Sequence, residues 1–249
     1  MKKTLQPYID EYLRAALDRD QGRAKTVVVR MIAEGSDLAT VFDVLAAAQH
    51  RVGDLWEKGV ASVSDEHFVT DTTLSCVSFA SERLAKFRRT ARGLAILFTA
   101  EGEYHVVALK MLSELLRDQG WDVEFLGPNP SSKYVLERAR ARGRVDMICV
   151  SATMPSSLPN LVETLRKIRA EPFFANTKVV AGGPVFRSNR ARGLLRGGAD
   201  GVALADSVSE GQAPALKFTA SLGRNEPPYG ADTGRGHRLA ERQLHRKSQ

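Results

Sequence analysis

The sequence predicts an α/β protein in two parts, a four-helix bundle followed by a doubly wound sheet of five parallel strands. Three observations carry this. From about residue 5 to residue 86, apolar side chains recur at helical spacing with no run of strand type. After Arg92, short apolar runs of strand length alternate with helical patterns. Glycines or capping residues punctuate many of the changeovers.

A first short helix is expected over residues 8–17. A second carries Val27, Val28, Met31 and Ile32 and ends at Gly35. Ser36 and Asp37 cap a third, whose apolar side holds Leu38, Val41, Phe42, Leu45, Val52 and Leu55 before Gly59 stops it. The fourth opens on the capping pattern Ser-Val-Ser-Asp and continues through Phe68, Val69, Leu74, Val77, Phe79 and Leu84. Short loops between four helices suggest an antiparallel bundle. Then GLAILFTA (93–100) reads as a strand and residues 104–117 as a helix. WDVEFLG, VDMICVS, KVVAGG and DGVALA read as four further strands, with helices over SSKYVLERARARG, LPNLVETLRKIRA and residues 185–195 and 207–222. Five strands favour a flavodoxin-like or Rossmann-like sheet, although the pattern does not give their order. In such sheets ligands sit beyond the carboxyl ends of the strands, near the topological switch point. The expected parts are a helical-bundle cap (1–90), an α/β domain (91–222) and a flexible basic tail (223–249).

Composition excludes several classes. At 43% hydrophobic and 26% charged, the 249-residue chain is not wholesale disordered. No apolar run approaches the roughly 18 residues of a membrane span, and the N-terminus lacks a secretory signal, so a cytoplasmic protein without membrane contact is expected. Cys76 and Cys149 lie far apart and read as buried thiols. Lysine and arginine exceed acidic residues by 36 to 29, or +7, of which residues 224–249 carry +3. That Gly- and Pro-rich stretch reads as a solvated tail or as a weak electrostatic contact with nucleic acid or an acidic partner.

Chemistry gathers at the strand ends. Glu103 and His105 follow the first strand, Ser151, Thr153 and Ser157 the third, and Gly182-Gly183 the fourth. Imidazole ligates transition metals, and a carboxylate two residues away could hold one ring nitrogen and orient the other. One histidine alone makes a poor protein-only metal site but suits a metal that arrives with its equatorial ligands in a macrocycle. Paired glycines allow close approach to a bulky ligand. On spacing alone, a solvated loop histidine remains an equal reading.

The pattern Glu103-x-His105-x-x-Ala108, with Ser151-x-Thr153 and Gly182-Gly183, resembles the signatures of the cobalamin-binding α/β domain. The resemblance implies a cobalamin cofactor with His105 as lower cobalt ligand and Glu103 hydrogen-bonded to it. It implies Ser157 as a further partner of that carboxylate, Ser151 and Thr153 against the benzimidazole, and Gly182 and Gly183 beside the nucleotide loop. Ala108 and Thr153 replace the usual glycine and leucine, conservative changes expected to be tolerated.

Trp56, followed after nine residues by Glu66-His67, resembles the cap of CarH-type cobalamin photoreceptors. That resemblance implies adenosylcobalamin beneath Trp56, with His67 taking the upper cobalt position after photolysis. Methylcobalamin and hydroxocobalamin are the other candidate forms. On spacing alone the plainer reading leads, with Trp56 a core aromatic and His67 a helix-start residue; His105 in the following domain reverses that order. The bundle begins within the first ten residues, so no DNA-binding domain is expected ahead of it, a layout similar to AerR-type antirepressors. The expectation is therefore a light- or cobalamin-sensing regulator with no catalysis of its own. It would act through a transcriptional or other signalling partner, with self-association left open. The alternative is a corrinoid methyl carrier of a methyltransferase system. No catalytic dyad, Walker loop or zinc cluster pattern occurs, and His50, His237 and His245 read as solvated or structural.

Overall fold

The computed structural model describes residues 4–84, 92–195 and 198–203. The predicted helix over 207–222, the end of the fifth strand and the basic tail lie outside the described residues.

Four helices come first: α1 (Gln6–Leu17), α2 (Gln21–Ala33), α3 (Leu38–Glu57) and α4 (Val63–Leu84). Their ends follow the capping chemistry of the sequence. Asp20 and Asp37 accept the backbone N–H groups of Arg23 and Arg23's counterpart in α3, Thr40, each at 2.8 Å. Ser62 and Asp65 form a reciprocal capping box at the start of α4. Gly35 and Gly59, at φ +84° and +69°, end α2 and α3 in the left-handed conformation that glycine tolerates. The buried stripes of α1–α4 meet around Tyr12, Met31, Phe42, Leu45, Val69 and Val77.

The sheet follows with β1 (Leu94–Thr99), β2 (Asp122–Gly127), β3 (Met147–Ser151), β4 (Lys178–Gly182) and β5 (Gly201–Ala203). All pairings are parallel and the order is β2-β1-β3-β4-β5, the flavodoxin-like arrangement. Both central strands, β1 and β3, are buried along their whole length, which explains why they read as continuous apolar runs rather than alternating ones. The helices α6 (Ser132–Ala141) and α7 (Leu158–Ala170) bury Val135, Ala139, Leu161 and Leu165 with the sheet in one core. The expected helix over 185–195 is broken instead. A 3-10 turn at Pro184–Arg187 precedes the short α8 (Asn189–Leu194), because the chain leaves β4 through Gly183 and Pro184. Burial pushes the Cys149 thiol up to about 12 and that of Cys76 to about 11, as expected of inert interior thiols. No helix among the described residues is long and apolar enough to cross a membrane.

One helix joins the two parts. In α5 (Val107–Asp118), Val107, Met111 and Leu115 recur every four residues and enter the bundle core. Leu109, Leu112 and Leu116 form a second stripe against the other face of the sheet, beside Trp121. A helix apolar on two sides is a wall shared by two cores, and α3 and α4 both pack on it. Truncating the fully buried Met111 removes bundle contacts without touching the sheet. Met111→Ala is expected to cost about 2–4 kcal/mol in chemical denaturation, and to speed proteolysis of the bundle more than of the sheet.

Candidate functional site

Glu103 and His105 belong to the loop between β1 and α5. The sequence pattern predicts helix from residue 104, but α5 begins only at Val107. The cause is local: Glu103 Oε1 takes the N–H groups of Tyr104 (3.0 Å) and His105 (3.1 Å), which holds both residues in a turn ahead of the helix. The same oxygen lies 2.5 Å from His105 Nδ1. Glu103 Oε2 reaches across the switch between β1 and β3 and accepts from the backbone N–H groups of Thr153 (2.7 Å) and Met154 (2.9 Å). Glu103 itself is fully buried, while the His105 side chain is 58% exposed.

The electrostatics follow from this packing. Burial alone would push the Glu103 carboxyl up, and it is the largest single influence. The hydrogen bonds from His105 and from the Met154, His105 and Thr153 backbone together outweigh it and hold the group down at about 2. Glu103 in turn raises the proton affinity of His105 above the ordinary imidazole value, opposed by partial burial and assisted by the more distant charge of Glu66. An ionised carboxylate only accepts, so Nδ1 carries a hydrogen, and in the neutral ring Nε2 presents its lone pair. This is the arrangement that fixes a ligating histidine and raises its basicity.

The loop is anchored by residues the sequence reading missed. Asn129, at φ +54°, accepts from Gly102 N–H at 2.7 Å through Oδ1 and donates to the Tyr104 hydroxyl at 2.7 Å. Thr99 Oγ1 donates to the Glu103 carbonyl at 2.7 Å and accepts from Asn129 N–H at 3.0 Å. The one signal available was the turn-forming run Gly-Pro-Asn-Pro, which marks residue 129 as a left-handed candidate.

Other expected positions fall less simply. Ser157 is buried, but its hydroxyl donates to the Met154 carbonyl at 2.7 Å rather than to Glu103. It therefore shapes the β3 loop whose N–H groups hold that carboxylate, because its place at the end of a 3-10 turn directs its hydroxyl back to the carbonyl three residues earlier. Thr153 serves through its backbone, and Ser151 is buried at the end of β3. Gly183, at φ +114°, has no room for a side chain: a Cβ there would stand 2.1 Å from the Ala152 carbonyl oxygen. The protein's own chain thus already requires this glycine, before any ligand is considered. Gly182 ends β4, where its carbonyl accepts Ala152 N–H at 2.9 Å.

On the bundle, Trp56 lies at the end of α3 and is 48% exposed, so it is not the core aromatic of the plainer reading. Glu66 and His67 lie near the start of α4, with His67 Nε2 3.7 Å from Glu66 Oε2 and 72% exposed. Val60 and Val63 are exposed between them, as are Tyr104 and Met154 at the strand ends. Among the described residues no cluster of three or more His, Cys, Asp and Glu side chains could hold a bare metal ion. A single oriented imidazole, with the exposed side chains of Tyr104 and Met154 on the loops that hold it, fits a metal carried in a flat apolar ring.

Residues 93–209 match the family model described as a B12 binding domain, and residues 8–80 match a second model of the same description. The chain carries a cobalamin-binding domain. Its bundle and sheet correspond to the two matched regions. The chain is 27% identical over 140 residues to dimethylamine corrinoid protein 1 of Methanosarcina acetivorans, spanning 56% of this chain and 65% of that one. Monomethylamine corrinoid protein 1 of Methanosarcina mazei is 25% identical over 183 residues, 72% of this chain and 84% of its own length. The solved monomethylamine corrinoid protein of Methanosarcina barkeri superposes with a TM-score of 0.73 at 21% identity, covering 86% of this chain and 99% of that one, a likeness of fold. These relatives are named for methylamines, not for photoreception or repression, which moves the regulatory expectation behind the carrier alternative.

The pH dependence of Glu103 has a definite sign. A carboxyl lowered from an ordinary value near 4.5 to about 2 contributes stability that is complete above the unfolded value and is lost as pH falls through the folded one. Glu103→Gln should lower stability at pH 6 by on the order of 2 kcal/mol, allowing for the exposure of its histidine partner, with the deficit shrinking as pH falls from 5 toward 2. Thermal melts of both proteins across that range would show it. A constant deficit would mean that shape rather than charge is lost. Gly183→Ala should cost more, upwards of about 3 kcal/mol, since the methyl meets backbone at a left-handed φ.

Proposed function

We propose that the chain is a corrinoid carrier that shuttles a methyl group between separate methyltransferase partners, with methylcobalamin as its loaded form. The supporting observation is the exposed His105, oriented by the buried Glu103, in a chain whose relatives are methylamine corrinoid proteins. A bound corrinoid supplies a cobalt centre able to accept and release a methyl group. His105 would hold it from below through Nε2, and Glu103 keeps the proton on Nδ1 and the ring in one orientation. Ser151 and Thr153 would line the space for the benzimidazole tail, and Gly182 would let the nucleotide loop approach β4. Trp56, with the apolar side chains around it, would shield the upper face from water until a partner displaces the cap.

A second reading, the adenosylcobalamin-dependent light sensor acting on a transcriptional partner, is favoured by the exposed Trp56 at the end of α3 and by Glu66 and the exposed His67 near the start of α4. In that reading His67 would be the residue able to hold cobalt from the cap. His105→Ala should weaken retention of hydroxocobalamin by roughly 10–100-fold in equilibrium dialysis and shift its absorption spectrum. Retention and spectrum equal to wild type would remove His105 from the site. Illumination of the adenosylcobalamin-loaded protein separates the two readings. The carrier expects the same final spectrum in wild type and His67→Ala, whereas the sensor expects a product that only wild type forms.

A further inference from the structure

A row of polar side chains crosses the bundle and ends on the cap carboxylate. Thr70, one turn beyond Glu66 on α4, lies 2.8 Å from Glu66 Oε1 through its hydroxyl. Gln49 on α3 stands 2.7 Å from Thr70 Oγ1 through Nε2 and 3.4 Å from Thr73 Oγ1 through Oε1. Tyr12 on α1 places its hydroxyl 3.0 Å from Thr73 Oγ1. Tyr12 and Thr73 are both fully buried. Three helices thus contribute to one chain of contacts whose outer end is Glu66.

The direction of the chain is fixed by counting hydrogens. A carboxylate offers none, so Thr70 spends its single hydroxyl hydrogen on Glu66. Thr70 can then only accept from Gln49, which sets the amide with Nε2 toward Thr70 and Oε1 toward Thr73. Thr73 donates to Gln49, and Tyr12 therefore donates to Thr73. Every donor points the same way, toward Glu66, and aligned hydrogen bonds polarise one another. Packing does not ask for this: valine at positions 70 and 73 and leucine at 49 would fill similar space without polar atoms to satisfy. At its outer end the chain meets Glu66 in the first turn of α4, and α4 and α3 both pack on α5, the helix that directly follows the His105 loop.

We propose that Gln49 and Thr70 are positioning residues that hold the Glu66 carboxylate in one orientation at the His105 site, so that its negative charge acts on the bound cobalt from a fixed place. The inference rests on the corrinoid reading above and deepens it. A fixed nearby carboxylate favours the more positive state of the metal and lowers its reduction potential. A carboxylate free to swing into water is screened and does so less.

The test uses the full chain loaded with hydroxocobalamin, with the Co(II)/Co(I) midpoint measured by spectroelectrochemical titration and stability by thermal melting. Glu66→Gln is expected to raise the midpoint. Thr70→Val and Gln49→Leu should raise it in the same direction by less, and Thr70→Ser, which keeps the hydroxyl, should return it to wild type. In the Glu66→Gln background, Thr70→Val and Gln49→Leu should no longer move the midpoint, even where they still lower the melting temperature. Wild-type midpoints in Thr70→Val and Gln49→Leu, or shifts that persist undiminished without the carboxylate, overturn the inference while leaving the corrinoid reading intact. A wild-type chain that retains no hydroxocobalamin overturns both.

Discussion

The site is organised around one buried charge. Glu103 is fully buried, and a carboxylate in that position is tolerable only because five donors surround it, four of them backbone N–H groups. Those donors come from two loops, one after β1 and one after β3, so satisfying the carboxylate also ties the two strand ends together. The tie falls where the order β2-β1-β3 reverses the direction of winding, the place at which an open parallel sheet leaves a crevice. The fold supplies the crevice, and Glu103 gives it a fixed rim and one oriented imidazole. Because the same oxygen that binds His105 Nδ1 also takes the N–H groups of residues 104 and 105, the position of the ring and the delayed start of α5 have a single cause.

That delayed start matters to the rest of the molecule. α5 sends Val107, Met111 and Leu115 into the bundle and Leu109, Leu112 and Leu116 toward the sheet. Its register is therefore locked by two cores at once, and a shift of one residue would take both stripes out of place. The loop that carries His105 leads directly into this helix. Close packing on both sides of α5 thus sets where His105 stands relative to α3 and α4, and so relative to Trp56, Glu66 and His67. The bundle is more than a cover over the sheet, since it shares a wall with it.

Much of the architecture was legible because the period of the apolar pattern changes cleanly after Arg92 and because the caps use strong chemistry. Asp37, Ser62 with Asp65, and Gly59 do what their residue types favour. The pairing of Glu103 with His105 was legible for the same reason, since two residues apart in a turn brings carboxylate and imidazole together. Misses occurred where a tertiary contact overrode a local pattern. Residues 104–106 fit a helical pattern, but Glu103 withdraws their first N–H groups, and its own partners from β3 are invisible in the sequence. Ser157 has the spacing of a carboxylate partner but finds the Met154 carbonyl closer at hand. Gly183 suggested room for a ligand, whereas the neighbouring Ala152 carbonyl already fills that room. Backbone partners carry no residue identity, so no motif announces them.

The two carboxylates at the junction are held by opposite strategies, and the contrast bears on what each can do. Glu103 is fixed by backbone amides, which cannot be altered without altering the fold, and its charge is spent locally on a histidine 2.5 Å away. Glu66 is fixed by side chains: a threonine, then a glutamine, then a second threonine and a buried tyrosine. Among the described residues its ion-pair partner is His67, 3.7 Å away and largely exposed. A group tied by amides makes a rigid foundation, whereas one tied by hydroxyls and an amide side chain can be retuned by single substitutions without disturbing the sheet. On physical grounds the Glu103–His105 pair is therefore tied to the fold itself, whereas the setting of Glu66 can be changed at positions 49 and 70 while the strand ends stay as they are.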